Sequence, residues 1–173
     1  MTIRKKIATK KASKESKLTV EKHESIRSKQ KKISADFSGA NPSEVFNIPW
    51  IYARRKKGKY PESKDNCGKW LIYVYEKNID IVWKLIKTAT KDGLLGDASK
   101  VSTGMPSPLA PKANLKVICV YTYDYTDKTD VMKIREQLRK IGVTNKIPYK
   151  TDNATRAGNY TVAGKTRIST YYE

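Results

Sequence analysis

Residues 36–173 predict an α+β domain: a single mixed, largely antiparallel sheet with helices packed on one face, preceded by a basic disordered tail over residues 1–35. Three observations carry this. Short runs of aromatic and β-branched residues are separated by turn chemistry. Two segments repeat apolar residues at helical spacing, each after one of those runs. The composition changes near Phe37, from charged and non-aromatic to mixed.

Residues 1–35 hold twelve Lys or Arg against three Glu, with one His and no aromatic residue. Such a segment buries too little apolar surface to offset its ordering entropy. The spacing allows a transient helix over residues 20–32. Nucleic-acid contact, a nuclear address and simple solubility all account for the charge. Residues 50–55 read as a short strand, and 56–66, with Gly58 and Pro61, as a loop. Residues 70–75 have strand composition. Ile79, Val82, Trp83, Ile86 and Ala89 then follow a helical period, with Asn78 as N-cap and Gly93 as stop. Residues 99–103 form a brief strand and 104–111, with three prolines, a loop. Residues 115–123 give the strongest strand signal and are expected at the sheet centre. A turn rich in capping residues, 124–127, precedes a second helix marked by Val131, Ile134, Leu138 and Ile141 and ended by Gly142. Residues 147–150 and 167–172 read as late strands.

Thirty-six basic residues against 17 acidic ones leave a formal charge of +19 on 173 residues. That imbalance favours anionic partners: RNA or another nucleic acid, a nucleotide, a phosphoprotein or an anionic membrane face. No run approaches the ~20 apolar residues of a membrane span, so insertion is not expected. The N-terminus lacks the apolar core of a secretory signal, which points to a cytoplasmic or, through the tail, a nuclear protein. Cys67 and Cys119 form no CxxC pair and read as reduced thiols. The glycosylation patterns at Asn153 and Asn159 carry no weight without a secretion signal.

The only histidine, His23, lies in the tail. The body therefore has no imidazole, which excludes Ser-His-Asp and Cys-His catalysis and histidine-held metals there. No Walker loop or GxGxxG occurs, and no cofactor or metal is expected. The available tools are Lys, Arg, Tyr, Ser/Thr and backbone amides. Four strings place cations beside strands: Trp50-Ile51-Tyr52-Ala53-Arg54-Arg55, Gly68-Lys69-Trp70-Leu71-Ile72-Tyr73, Lys100-Val101-Ser102-Thr103 and Tyr149-Lys150-Thr151-Asp152. Together they suggest one cation-lined pocket suited to phosphate. Against this, a lysine at a strand start is more often a snorkelling surface group. Trp50 and Trp70 are candidates for stacking on a base. Trp83 falls on the core period of its helix, and the Tyr121–Tyr125 alternation is strand-pairing chemistry.

The 51–55 string, Gly58-Lys59-Tyr60, the Lys69 and Lys100 strings and the 117–124 strand resemble the bacterial phosphothreonine lyase effectors OspF and SpvC. The GKW, KVST, VICVYT and YKTD strings, over residues 48–173, resemble more closely a group related to the basophilic-leukaemia-expressed protein. That resemblance implies a fold like the cap-binding translation initiation factor. The lyase resemblance implies Lys100 as the base, Lys69 as its companion and Leu71 at the place of the acid histidine. Leucine cannot donate a proton. Tyr121 or a water would have to replace it, and losing a general acid typically costs on the order of 10²–10⁴-fold. Arg54, Arg55, Lys150 and Arg156 are the candidate phosphate-holding groups. The sequence thus favours a binding module for a phosphorylated ligand, RNA or a nucleotide. A lyase-like enzyme with a degenerate acid position and a protein–protein adaptor are the alternatives.

Overall fold

The structure, a computed structural model, describes residues 37, 39–63, 65–108, 110, 112, 114–158 and 169–173. The tail over 1–35, and the first part of the strand expected over 167–172, lie outside the described residues. The strands are β1 (Trp50–Arg54), β2 (Gly68–Tyr75), β3 (Ala98–Ser102), β4 (Leu115–Thr122), β5 (Pro148–Thr151) and β6 (Tyr171–Tyr172). The helices are α1 (Ile79–Lys91), α2 (Lys128–Lys140) and the short α3 (Asp152–Arg156).

The six strands form one sheet in the order β1-β3-β4-β2-β5-β6, with β4 and β2 at its centre. Every pairing among them is antiparallel, so the expected mixture with parallel pairs is not found. The reason lies in the two strand–helix units. The connection through α1 leaves β2 and enters β3, but β4 lies between them. The connection through α2 leaves β4 and enters β5, but β2 lies between them. Each crossover skips one strand. The strands it joins run the same way without becoming neighbours.

Strand alternation gives the sheet two faces. On one, Ile51, Val101, Ile118, Val120, Trp70 and Tyr149 are fully buried. They meet the apolar stripes of α1 (Ile79, Trp83, Ile86) and α2 (Val131, Ile134, Leu138), which are also buried. Contacts from both helices confirm the side: Trp70 Nε1 donates to the Val131 carbonyl at 3.1 Å, and Thr90 Oγ1 of α1 lies 2.8 Å from Ser99 Oγ of β3. The helix ends follow the sequence only in part. Gly93 and Gly142 adopt φ of +80° and +102° at the two C-termini, where glycine carries no Cβ penalty. Asp127 caps α2 by accepting from the Asp130 amide at 3.1 Å. Asn78 makes no side-chain cap, because a 3₁₀ turn, Glu76–Asn78, runs directly into α1.

Gly68 shows why a glycine opens the GKW string. A Cβ there would lie 2.4 Å from the Tyr149 hydroxyl, which shares a 2.6 Å hydrogen bond with Thr122 Oγ1. Gly68→Ala is therefore expected to displace the Tyr149 ring and destabilise the fold by about 1–3 kcal/mol. Chemical denaturation of the two proteins checks this; an unchanged midpoint would mean that the ring moves aside without cost.

Candidate functional site

The other face of the sheet bears neither α1 nor α2. Register places its residues in two adjacent rows. In one, Tyr52, Lys100, Cys119 and Leu71 are successive cross-strand neighbours on β1, β3, β4 and β2. In the next, Tyr121, Lys69 and Lys150 are neighbours on β4, β2 and β5. Three lysines, distant in sequence, thus share one patch of sheet. The Lys100 ammonium stands 4.2 Å from the Trp50 ring centre and 5.7 Å from that of Tyr121. The Lys69 ammonium stands 5.6 Å from the same Tyr121 ring. Lys69 forms an ion pair with Asp152, the first residue of α3, and donates to Thr155 Oγ1 at 3.0 Å. The second Asp152 oxygen accepts from the Cys67 thiol at 3.2 Å. Lys69 and Lys150 are 6% and 3% exposed, burial unusual for lysine.

Burial sets the protonation of this patch. It pushes the Lys100 amine below the ordinary lysine range, and the like charge of Lys69 adds to the effect. Lys150 is lowered in the same way, by burial first and by Lys69 next. Burial pushes the Cys119 thiol and the Tyr121 phenol up, so both stay neutral at physiological pH. Cys67 is pushed up to about 11, by burial and then by its hydrogen bond to Asp152. The patch therefore combines desolvated cations with protonated hydroxyl and thiol groups. An arriving anion would find charge and donors together, in surroundings of low dielectric.

Lys69, Lys100, Lys150, Tyr121 and Trp50 lie on the same face of the sheet. The arginines do not join them as free arms. Arg54 shares their face but pairs with Asp97 at 3.3 Å, and both partners are about half exposed. Arg55 lies over the Tyr60 ring at 4.9 Å and donates to the carbonyls of Leu95 and Lys57, so it ties loops together. Arg156 is exposed and donates to Asn153 Oδ1 on its own helix. Trp70 corrects the expectation most plainly. It is 0% exposed and offers no ring to a base, because its place between Lys69 and Leu71 turns it to the helix-covered face. Leu71 does lie on the site face, buried beside Cys119, and supplies no proton there. Sequence reasoning did not single out Asp152, Cys67, Cys119 and Tyr52 as members. Asp152 stands in the quoted YKTD string, but its role depends on a partner 83 residues away.

The family model described as "Basophilic leukemia-expressed protein Bles03" matches residues 62–157, more than half of the chain. The match takes in Lys69, Lys100, Tyr121, Lys150 and Asp152, while Trp50 lies outside it. Solved structures with a similar fold include a schistosome eIF4E complexed with m7GpppA and 4E-BP. It has a TM-score of 0.56 and 14% identity, over 83% of this chain and 80% of that one. The same protein with m7GpppG and 4E-BP gives 0.55 and 14% over the same shares. C. elegans eIF4E-3, in complex with the 4E-binding protein Mextli and a cap analogue, gives 0.50 and 14% over 73% and 76%. At this identity the likeness is one of fold. These matches do not show the likeness to the phosphothreonine lyases. The chain belongs to the Bles03 family.

Proposed function

We propose that this Bles03-family protein is a binding module for a phosphorylated ligand, a nucleotide or the nucleotide end of an RNA, seated on the sheet face opposite α1 and α2. One observation carries the reading. Lys69, Lys100 and Lys150 arrive from three strands on one patch, and Lys100 meets aromatic rings and, among the described residues, no carboxylate. A desolvated ammonium of this kind gains on meeting a phosphate, and a hydrogen bond to a charged group contributes about 1.5–3 kcal/mol. The half-buried Trp50 ring beside it offers a face on which a base can stack, worth about 1–3 kcal/mol. The similar eIF4E structures carry m7GpppA and m7GpppG, which supports a nucleotide as the ligand of this fold. The charge of +19 adds a non-specific attraction to any polyanion.

Titration with GTP, m7GTP and inorganic phosphate, followed by tryptophan fluorescence and calorimetry, tests this. Trp70 and Trp83 are buried, so quenching on ligand addition reports on Trp50. Lys100→Met is expected to weaken nucleotide binding about 10–100-fold, and rising salt to weaken it further. If none of these ligands, nor a single-stranded RNA, binds at low salt, the reading fails.

A further inference from the structure

The three lysines of the patch are not alike. Lys69 forms an ion pair with Asp152 and donates to Thr155 Oγ1. Lys100 has no such ion pair among the described residues; its ammonium lies over the Trp50 and Tyr121 rings at the distances given above. Its cross-strand neighbour Cys119 is a buried, neutral thiol and cannot hold the proton for it. Lys69 stands at the same Tyr121 ring and contributes like-charge repulsion. The rings and the more distant charge of Asp152 favour the ammonium, but burial, with Lys69 added, prevails, and the net effect is toward the free amine. A lysine desolvated beside a second cation is the arrangement that turns this side chain into a nucleophile.

We propose that Lys100 is a nucleophilic amine that condenses with a phosphorylated aldehyde or ketone, whose phosphate lodges against Lys69 and Lys150. The proposal rests on the anion-binding reading for the phosphate seat, and on Lys100 alone for the chemistry. The Lys69–Lys150 row lies two residues along the strands from the Lys100 row, roughly 7 Å at the rise of a strand. That separation suits a small molecule with its carbonyl and its phosphate at opposite ends. In the reaction the nitrogen lone pair of Lys100 attacks the carbonyl carbon and a C–N bond forms. The C–O bond of the resulting carbinolamine then breaks, and the oxygen leaves as water with the two amine protons. A neutral imine remains, with no change of oxidation state.

The test uses the full chain at pH 7 with limiting pyridoxal 5′-phosphate, followed by borohydride to fix any imine, and peptide mass mapping. The lowering of the Lys100 pKa raises its free-amine fraction at pH 7, so Lys100 should carry more label than exposed Lys59 or Lys77. Pyridoxal without its phosphate should label Lys100 about tenfold more slowly, for want of one charge-assisted contact. Lys100→Arg, with folding verified by circular dichroism, should lose that label alone. Label distributed over the lysines by exposure, or absent from Lys100, overturns the proposal. If Lys100 labels selectively but equally with both aldehydes, the phosphorylated class is wrong. Should nucleotides and phosphate fail to bind while Lys100 still labels selectively, the anion-binding reading falls and the nucleophile stands. Should nucleotides bind while Lys100 stays unlabelled, the reverse holds.

Discussion

Replacing Arg135 with Met is expected to destabilise the protein by roughly 3–5 kcal/mol. Arg135 projects from α2 and is completely buried, a rare place for a guanidinium. It donates to three main-chain carbonyls: Val143 at 2.7 Å, Asn145 at 2.6 Å and Glu173 at 3.1 Å. The first two lie in the loop that leads from α2 to β5. The third belongs to a residue that exchanges backbone hydrogen bonds with Ile147, just before β5. One side chain therefore ties α2, that loop and the β5–β6 end of the sheet together. Methionine fills similar volume but donates nothing, and three acceptors lose their partner. The melting temperature should fall by roughly 10–20 °C for a fold of this size, measured by calorimetry. Arg135→Lys should recover only part of it, since a single ammonium cannot span three diverging carbonyls. Because β5 carries Lys150, loosening it should also weaken anion binding. A fall of only a few degrees would show that water replaces the guanidinium without cost.

The second large effect separates two tryptophans that the sequence treats alike. Trp70→Ala is expected to cost about 3–5 kcal/mol, as for other fully buried aromatic residues. The indole packs edge-on to Tyr149 with ring centres 5.1 Å apart, and its nitrogen donates to α2. Trp50→Ala removes a half-buried ring from an edge strand and should shift stability by less than about 1 kcal/mol, while abolishing the fluorescence response to ligand. Denaturation curves and ligand titrations on both variants decide the matter. Equal stability losses would mean that Trp50 belongs to the core, and a preserved response in Trp50→Ala would remove it from the site.

These two residues also show how far local pattern reaches. The strand Gly68–Tyr75 was legible over residues 70–75 from its aromatic and β-branched content. Alternation says that Lys69 and Trp70 face opposite ways. It does not say which face the helices cover. That was decided by the amphipathic stripes of α1 and α2, which pack against the side holding Trp70 and Ile118 and leave Lys69 and Lys100 on the other. Arg54 and Arg55 illustrate the same gap. Their strings looked like phosphate arms, but Asp97 engages one and the Leu95 carbonyl engages the other. Both partners lie about forty residues downstream in the chain.

By itself, the order of residues determined the two central strands, the two long helices, the glycine stops and the lack of imidazole chemistry in the body. Each of these depends on spacing or composition within a short segment. Only the tertiary structure decided that the crossovers skip a strand, that three lysines share one sheet face, and that Lys69 has a carboxylate while Lys100 has aromatic rings. The physical reason is that a side chain's charge state and availability depend on which groups surround it in space. Those groups come from segments that only the packing of the helices and the pairing of the strands bring together.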